Sequence, residues 1–204
     1  MYWFSGTVVG LRCDDGVALA SDSRGAASYH VLSKRVQKVF KLEDKIGAAV
    51  AGGTGDVQSL IGLLRAEVNL YRLNEGRQIS TRSLAQMASS HLHGRRNFPY
   101  IAEGMISGVD DGEPLLYFFD LVGGKLEERK FAAGGTGATV AYGALEGEYK
   151  DGMDLDEGAR LAAKAIHTAI ERDAATGEKI VVAVVDKKGY RELSENEVKG
   201  LLGK

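Results

Sequence analysis

A carboxylate and a guanidinium, Asp22 and Arg24, stand two residues apart in a run of small residues. An ammonium, Lys38, follows in Lys34-Arg35-Val36-Gln37-Lys38-Val39-Phe40, where polar and apolar side chains alternate. A carboxylate beside an ammonium favours its charged form and fixes its position, which suits a site that handles protons. Taken singly the residues have plainer readings: Asp22 with Arg24 as an ordinary ion pair, Lys38 as a solvent-facing side chain. The small apolar run Ala48-Ala49-Val50-Ala51 then leads into a glycine-rich segment, Gly52-Gly53-Thr54-Gly55-Asp56.

The elements that must position these groups are readable in the chain. Ser5 to Leu11 turns at Asp14-Asp15-Gly16 and returns as Val17 to Arg24, apolar on both sides of an Asp-Gly turn, which predicts a β-hairpin. Residues two apart on a strand face the same way, so Asp22 and Arg24 are expected on one side. Residues from about 7 to 53 read as several strands. Beyond Gly55, Val57, Leu60, Ile61, Leu64, Val68 and Leu70 fit a helix, and a second starts after Ser80 or Thr81 with Leu84, Met87, Ala88 and Leu92 buried. The period then changes. Ile101 to Val109, Pro114 to Asp120 and Lys125 to Ala132 read as strands, with Tyr117, Phe118 and Phe119 as sheet core.

Helices are expected over about 138–149 and 155–173, the second opening on Asp154 with Glu157 at capping-box spacing. Lys179 to Val185 is an apolar strand, and Tyr190 to Leu193 leads to a short helix marked by Ser194 and Glu197. The order is strands, two helices, strands, two helices, strands. Sheets in the middle with a helix pair outside each would bury every apolar stripe. The fold class expected is therefore α+β, a four-layer αββα sandwich of two central antiparallel sheets flanked by helix pairs, as a single domain over residues 1–204.

Composition narrows function. A net charge of -2 over 204 residues gives no broad attraction to nucleic acid or to an anionic membrane, and Arg95-Arg96 is a short basic pair. No apolar run has the length of a membrane span. His91 and His93 read as surface residues, and the lone Cys13 offers neither a disulfide partner nor a metal cluster, which suits a reducing compartment. The expectations are a cytoplasmic protein with no cofactor and no metal.

The combination of Asp22, Arg24, Lys38 and the Gly52–Asp56 segment resembles the proteasome β-subunit family of N-terminal-nucleophile hydrolases. The resemblance extends through Gly135-Thr136-Gly137-Ala138-Thr139, Tyr142-Gly143-Ala144-Leu145-Glu146 and Arg172-Asp173-Ala174-Ala175-Thr176-Gly177, so that it runs from Thr7 to about Leu193. It implies the same four-layer fold. In such enzymes an N-terminal threonine attacks through its hydroxyl, with its own amine as base, a lysine beside it and a glycine amide for the oxyanion. By resemblance Asp22 orients Lys38, Gly52 supplies the oxyanion amide and Arg24 supports them. Thr136, Asp173 and Thr176 stand for the accessory hydroxyl–carboxylate–hydroxyl set, and Gly25, Val50 and Thr54 for the specificity pocket. Small, uncharged walls there would favour an apolar side chain.

The spacing departs from the pattern at one place. The family's nucleophile precedes the carboxylate by sixteen residues and the lysine by thirty-two, and both counts lead back to Gly6. Thr7 is one residue late, and one step along a strand turns a side chain to the other face. The leading expectation is a non-catalytic β-type subunit of a 20S proteasome-like core particle for protein degradation. Its implied partners are other β-type subunits in a seven-member ring, α-type subunits, and unfolded polypeptide in the assembled chamber. The alternative is a threonine endopeptidase that cuts itself at Gly6-Thr7 and uses Thr7, its aim restored by a bulge or a one-residue deletion. Residues 1–6 are then a short leader, otherwise a retained extension whose aromatic Tyr2-Trp3-Phe4 fills the cleft or a subunit boundary. A third reading is a free-standing amidase with a small enclosed pocket.

Overall fold

The computed structural model describes residues 6–27 and 30–203. The opening hairpin comprises β1 (Thr7–Arg12) and β2 (Gly16–Asp22). A two-stranded sheet of β3 (Gly25–Ala27) and β4 (His30–Ser33) follows, then β5 (Val39–Glu43) and β6 (Ile46–Gly52). Helices α1 (Thr54–Glu75) and α2 (Thr81–Gly94) come next. The second group of strands is β7 (Ala102–Asp110), β8 (Glu113–Phe119), β9 (Lys125–Glu127) and β10 (Phe131–Gly135). The chain ends with α3 (Ala138–Glu148), α4 (Leu155–Ile170), β11 (Ile180–Asp186), β12 (Gly189–Glu192) and α5 (Glu195–Leu201).

Two five-stranded antiparallel sheets stack face to face, in the orders β10-β1-β2-β11-β12 and β5-β6-β7-β8-β9. Three apolar layers hold them. Val9, Leu11, Ala18 and Ala20 pack under α3 and α4, whose buried stripe includes Ala159, Ala162 and Ile166. Ala48, Val50 and Ile106 pack under α1 and α2 through Leu60, Leu64 and Leu84. Between the sheets lie Val8, Leu19, Met105 and Leu116. This is the α+β sandwich that the alternation of elements predicts. The capping box at Asp154 and Glu157 forms as expected, and a second one opens α5 at Ser194 and Glu197.

Three local expectations are corrected. Leu70 is not on the buried face of α1: it is 52% exposed, because two residues on from Val68 is about 200° round the helix. The run Lys125 to Ala132 is two strands in different sheets, β9 beside β8 and β10 beside β1, with Glu128-Arg129-Lys130 carrying the chain across. Arg24 lies beyond the end of β2, so strand alternation does not set its direction.

The parity of β1 positions the site. Val9 and Leu11 face the α3–α4 layer, whereas Val8 faces the opposite sheet. Thr7 shares the parity of the first pair and Gly6 that of Val8. The ladders from β1 to β2 and to β10 run without a register shift, so no bulge alters this alternation.

Candidate functional site

On one side of the β1 terminus a buried ion pair is anchored. Lys38, immediately before β5, reaches Asp22 at the end of β2, with Nζ 2.6 Å from Oδ1. The ammonium also donates to the Arg24 carbonyl at 2.7 Å. Asp22 is fully buried, and its carboxylate accepts from three further donors: the Thr7 N–H at 2.8 Å, the Arg24 N–H at 2.9 Å and the Gly177 N–H at 2.9 Å. Burial pushes the Lys38 amine below its ordinary value, and Asp22 opposes that shift without cancelling it. Arg24 contributes its carbonyl to the lysine, while its guanidinium turns away to the Ala174 carbonyl (2.8 Å) and to Glu178 (3.0 Å). The simple Asp22–Arg24 ion pair is therefore not what this sequence forms.

Gly6 lies directly against the ammonium. A Cβ built on it would overlap Lys38 Nζ and come within 2.5 Å of Asp22 Oδ1, and its φ of +88° is one that side-chain-bearing residues rarely adopt. The Gly6 carbonyl accepts from the Thr136 N–H at 2.9 Å. Both the conformation and the space belong to a residue without a side chain.

Thr7 faces the other way. Its hydroxyl is 2.6 Å from that of Thr176 and accepts from the Gly137 N–H at 3.1 Å. Thr176 and Thr136 each donate to Asp173 Oδ2 at 2.5 Å. With Thr176 committed to the carboxylate, the hydrogen shared between the two threonines comes from Thr7. The predicted hydroxyl–carboxylate–hydroxyl set is thus assembled as a closed network around Thr7, on the α3–α4 side of the sheet.

A family profile described as proteasome subunit matches residues 4–185. Proteasome subunit beta 1 of Thermococcus onnurineus is 47% identical over 196 residues, which cover 96% of this chain and 96% of that protein. Proteasome subunit beta of Methanocaldococcus vulcanius is 42% identical over 199 residues, 97% of this chain and 89% of its own, and that of Methanopyrus kandleri is 42% identical over 199 residues, 96% and 94%. The chain belongs to the proteasome β-subunit family.

Within this proteasome β subunit, Lys38, Val50, Gly52 and Thr54 line one cavity of about 530 Å³. Gly25 lines an adjoining one of about 510 Å³, and Gly52 and Thr54 border both. Gly52 ends β6, is the last residue paired to β7 and borders both cavities.

Sequence reasoning missed the backbone donors Gly137 and Gly177, although both lie inside the phrases that carried the resemblance. It also missed Arg35 and Arg65, which line the Lys38 cavity. Arg65 is four residues after Ile61 and therefore its neighbour on the surface of α1, a relation that a search for apolar stripes alone passes over. Of the expected leader, residues 1–6, all but Gly6 lie outside the described residues, the aromatic cluster included. Among the described residues no group of His, Cys, Asp and Glu is arranged to hold a metal, and no helix is long and apolar enough to cross a membrane.

Proposed function

We propose that this β-type subunit occupies a ring of a proteasome-like core particle and lines its chamber without cutting peptide bonds itself. The observation that carries the reading is Gly6: the residue in contact with the Lys38 ammonium has no side chain and hence no attacking atom. Thr7, the adjacent hydroxyl, is engaged by Thr176 and Gly137 on the opposite face, out of line with Lys38. In this reading Asp22, Lys38 and Gly52 keep the arrangement of a threonine-hydrolase site, while Thr136, Asp173 and Thr176 act as an anchor for β1. Other β-type and α-type subunits are the proposed partners, in seven-member rings, with unfolded polypeptide as the chamber's contents. The cytoplasm is the proposed compartment, in keeping with the buried, unpaired Cys13.

The test is co-assembly with α-type subunits, followed by intact-mass measurement and a peptide-hydrolysis assay. The expected result is large rings in which this chain retains residues N-terminal to Thr7 and yields no covalent adduct with an electrophilic peptide. A chain beginning at Thr7, modified on that residue, would establish the threonine endopeptidase instead. Discrete monomers or dimers that hydrolyse a small amide would favour the free-standing amidase.

A further inference from the structure

The cavity beside Lys38 has charged walls as well as the small ones the sequence suggested. Three cations line it, Arg35, Lys38 and Arg65, and no carboxylate is among its lining residues. Lys38 is matched by Asp22, so its charge is already answered. Neither arginine is held in an ion pair among the described residues, although Arg35 is near enough to Glu195 to favour that carboxylate's charged form. Arg65 donates from Nε and Nη2 to the Lys41 carbonyl at 3.3 and 3.1 Å, a neutral acceptor that fixes the guanidinium and leaves its charge uncompensated. It sits 6.0 Å from the centroid of the Phe40 ring. Arg35 projects from the segment between β4 and β5 and forms no ion pair among the described residues. Below these heads the wall is apolar, through Phe40, Val50 and Ile61.

We propose that this cavity receives a peptide carboxylate, with Arg65 and Arg35 as its anion-binding pair and the apolar wall taking the carbons behind the charge. The inference rests on the reading of the chain as a peptide-holding β-type subunit and adds which peptides it holds. A guanidinium offers a planar fork of donors matched to a carboxylate, whereas an uncharged apolar side chain entering here would strip water from two arginines and return nothing polar. The carboxylate has two possible sources, an acidic side chain within an extended chain or the carboxyl terminus of a peptide already cut by another subunit. The contact is solvent-accessible, so its strength falls with salt.

Three fluorescein-labelled peptides of equal length separate the cases, each titrated into the full chain in its assembled state by fluorescence anisotropy. One is amidated and carries glutamate, one has neutral side chains and a free carboxyl terminus, and one is neutral throughout. A carboxylate peptide is expected to bind about tenfold more tightly than the neutral one at low ionic strength, with the gap closing near 1 M salt. Arg65→Met is expected to abolish the gap and Arg35→Met to narrow it. Preference for the glutamate peptide identifies the side-chain source, and preference for the free terminus identifies the product. Equal binding of all three peptides, binding of none by correctly assembled rings, or a gap that survives both substitutions overturns the proposal. Peptide fragments found by mass in the same samples would instead overturn the non-cutting reading and leave the charge preference standing.

Discussion

Gly6 and Thr7 are adjacent, yet they border two differently built regions. On the Gly6 side a buried ammonium and carboxylate are held by backbone groups, and the residue that lies against them has no side chain. On the Thr7 side every hydroxyl has a partner, and the network ends on one carboxylate, Asp173. The first region has the charges of a reactive centre without an attacking atom. The second has a hydroxyl on the strand, but no ammonium among its partners. On the proposed non-cutting reading, a working threonine site needs both on one face, and the strand's alternation divides them.

The comparison can be broken most severely at Asp22. Asp22→Ala leaves Lys38 buried with an unanswered charge and deprives three N–H groups of their acceptor, so a loss of about 3–5 kcal/mol is expected in denaturant unfolding. A much smaller loss would mean that the charged region does not hold the hairpin end. On the opposite face, Thr7→Val keeps shape and removes the hydroxyl, stranding the Gly137 N–H, for an expected loss of about 1–3 kcal/mol. Thr7→Ser should restore most of it. If Val is tolerated as well as Ser, the network is not an anchor. Gly6→Ala tests the remaining asymmetry: holding a side-chain-bearing residue at this φ costs about 1–2 kcal/mol, and the new methyl must also displace the lysine. A chain as stable as the parent would show that the tight fit against Lys38 is not needed.

The smallest effect concerns Cys13, in the loop between the same two strands and packed under α4. Burial, reinforced by Asp15 and other nearby carboxylates, pushes its thiol up to about 12. The native thiol should therefore resist alkylation at pH 8 and react promptly on unfolding. The sign of the linkage follows: the folded chain keeps a proton that the unfolded chain releases near 9, so this contribution is complete below pH 9 and drains away as pH rises toward 12. Fast alkylation of folded protein would mean that the helix-facing side of the hairpin opens readily.

Much of this division could be read before any coordinates, because it depends on counting. Spacing back from Asp22 and Lys38 led to Gly6, and period two set Thr7 on the other side. Element order gave the layers for the same reason: each apolar stripe has one kind of partner. What escaped were features that depend on where elements end or turn in space. Arg24 lies past its strand, so alternation said nothing about its guanidinium. The Lys125 to Ala132 run carries no local mark that its halves join different sheets. Arg65 faces a cavity bordered by a segment about thirty residues upstream, and no helical pattern records that distant neighbour.

Gly10 carries a consequence of its own. A methyl group there would meet Met105 Sδ at 2.5 Å and Leu116 Cδ1 at 2.9 Å, so the first strand crosses the facing sheet with no clearance for a side chain. Sliding that strand by the single notch that would aim the threonine at the lysine would drive Val9 or Leu11 into this slot. A contact four residues along the chain thus works as a pawl: on the proposed non-cutting reading, a hydroxyl beside the lysine calls for a different residue at position 6 and not for a shifted strand.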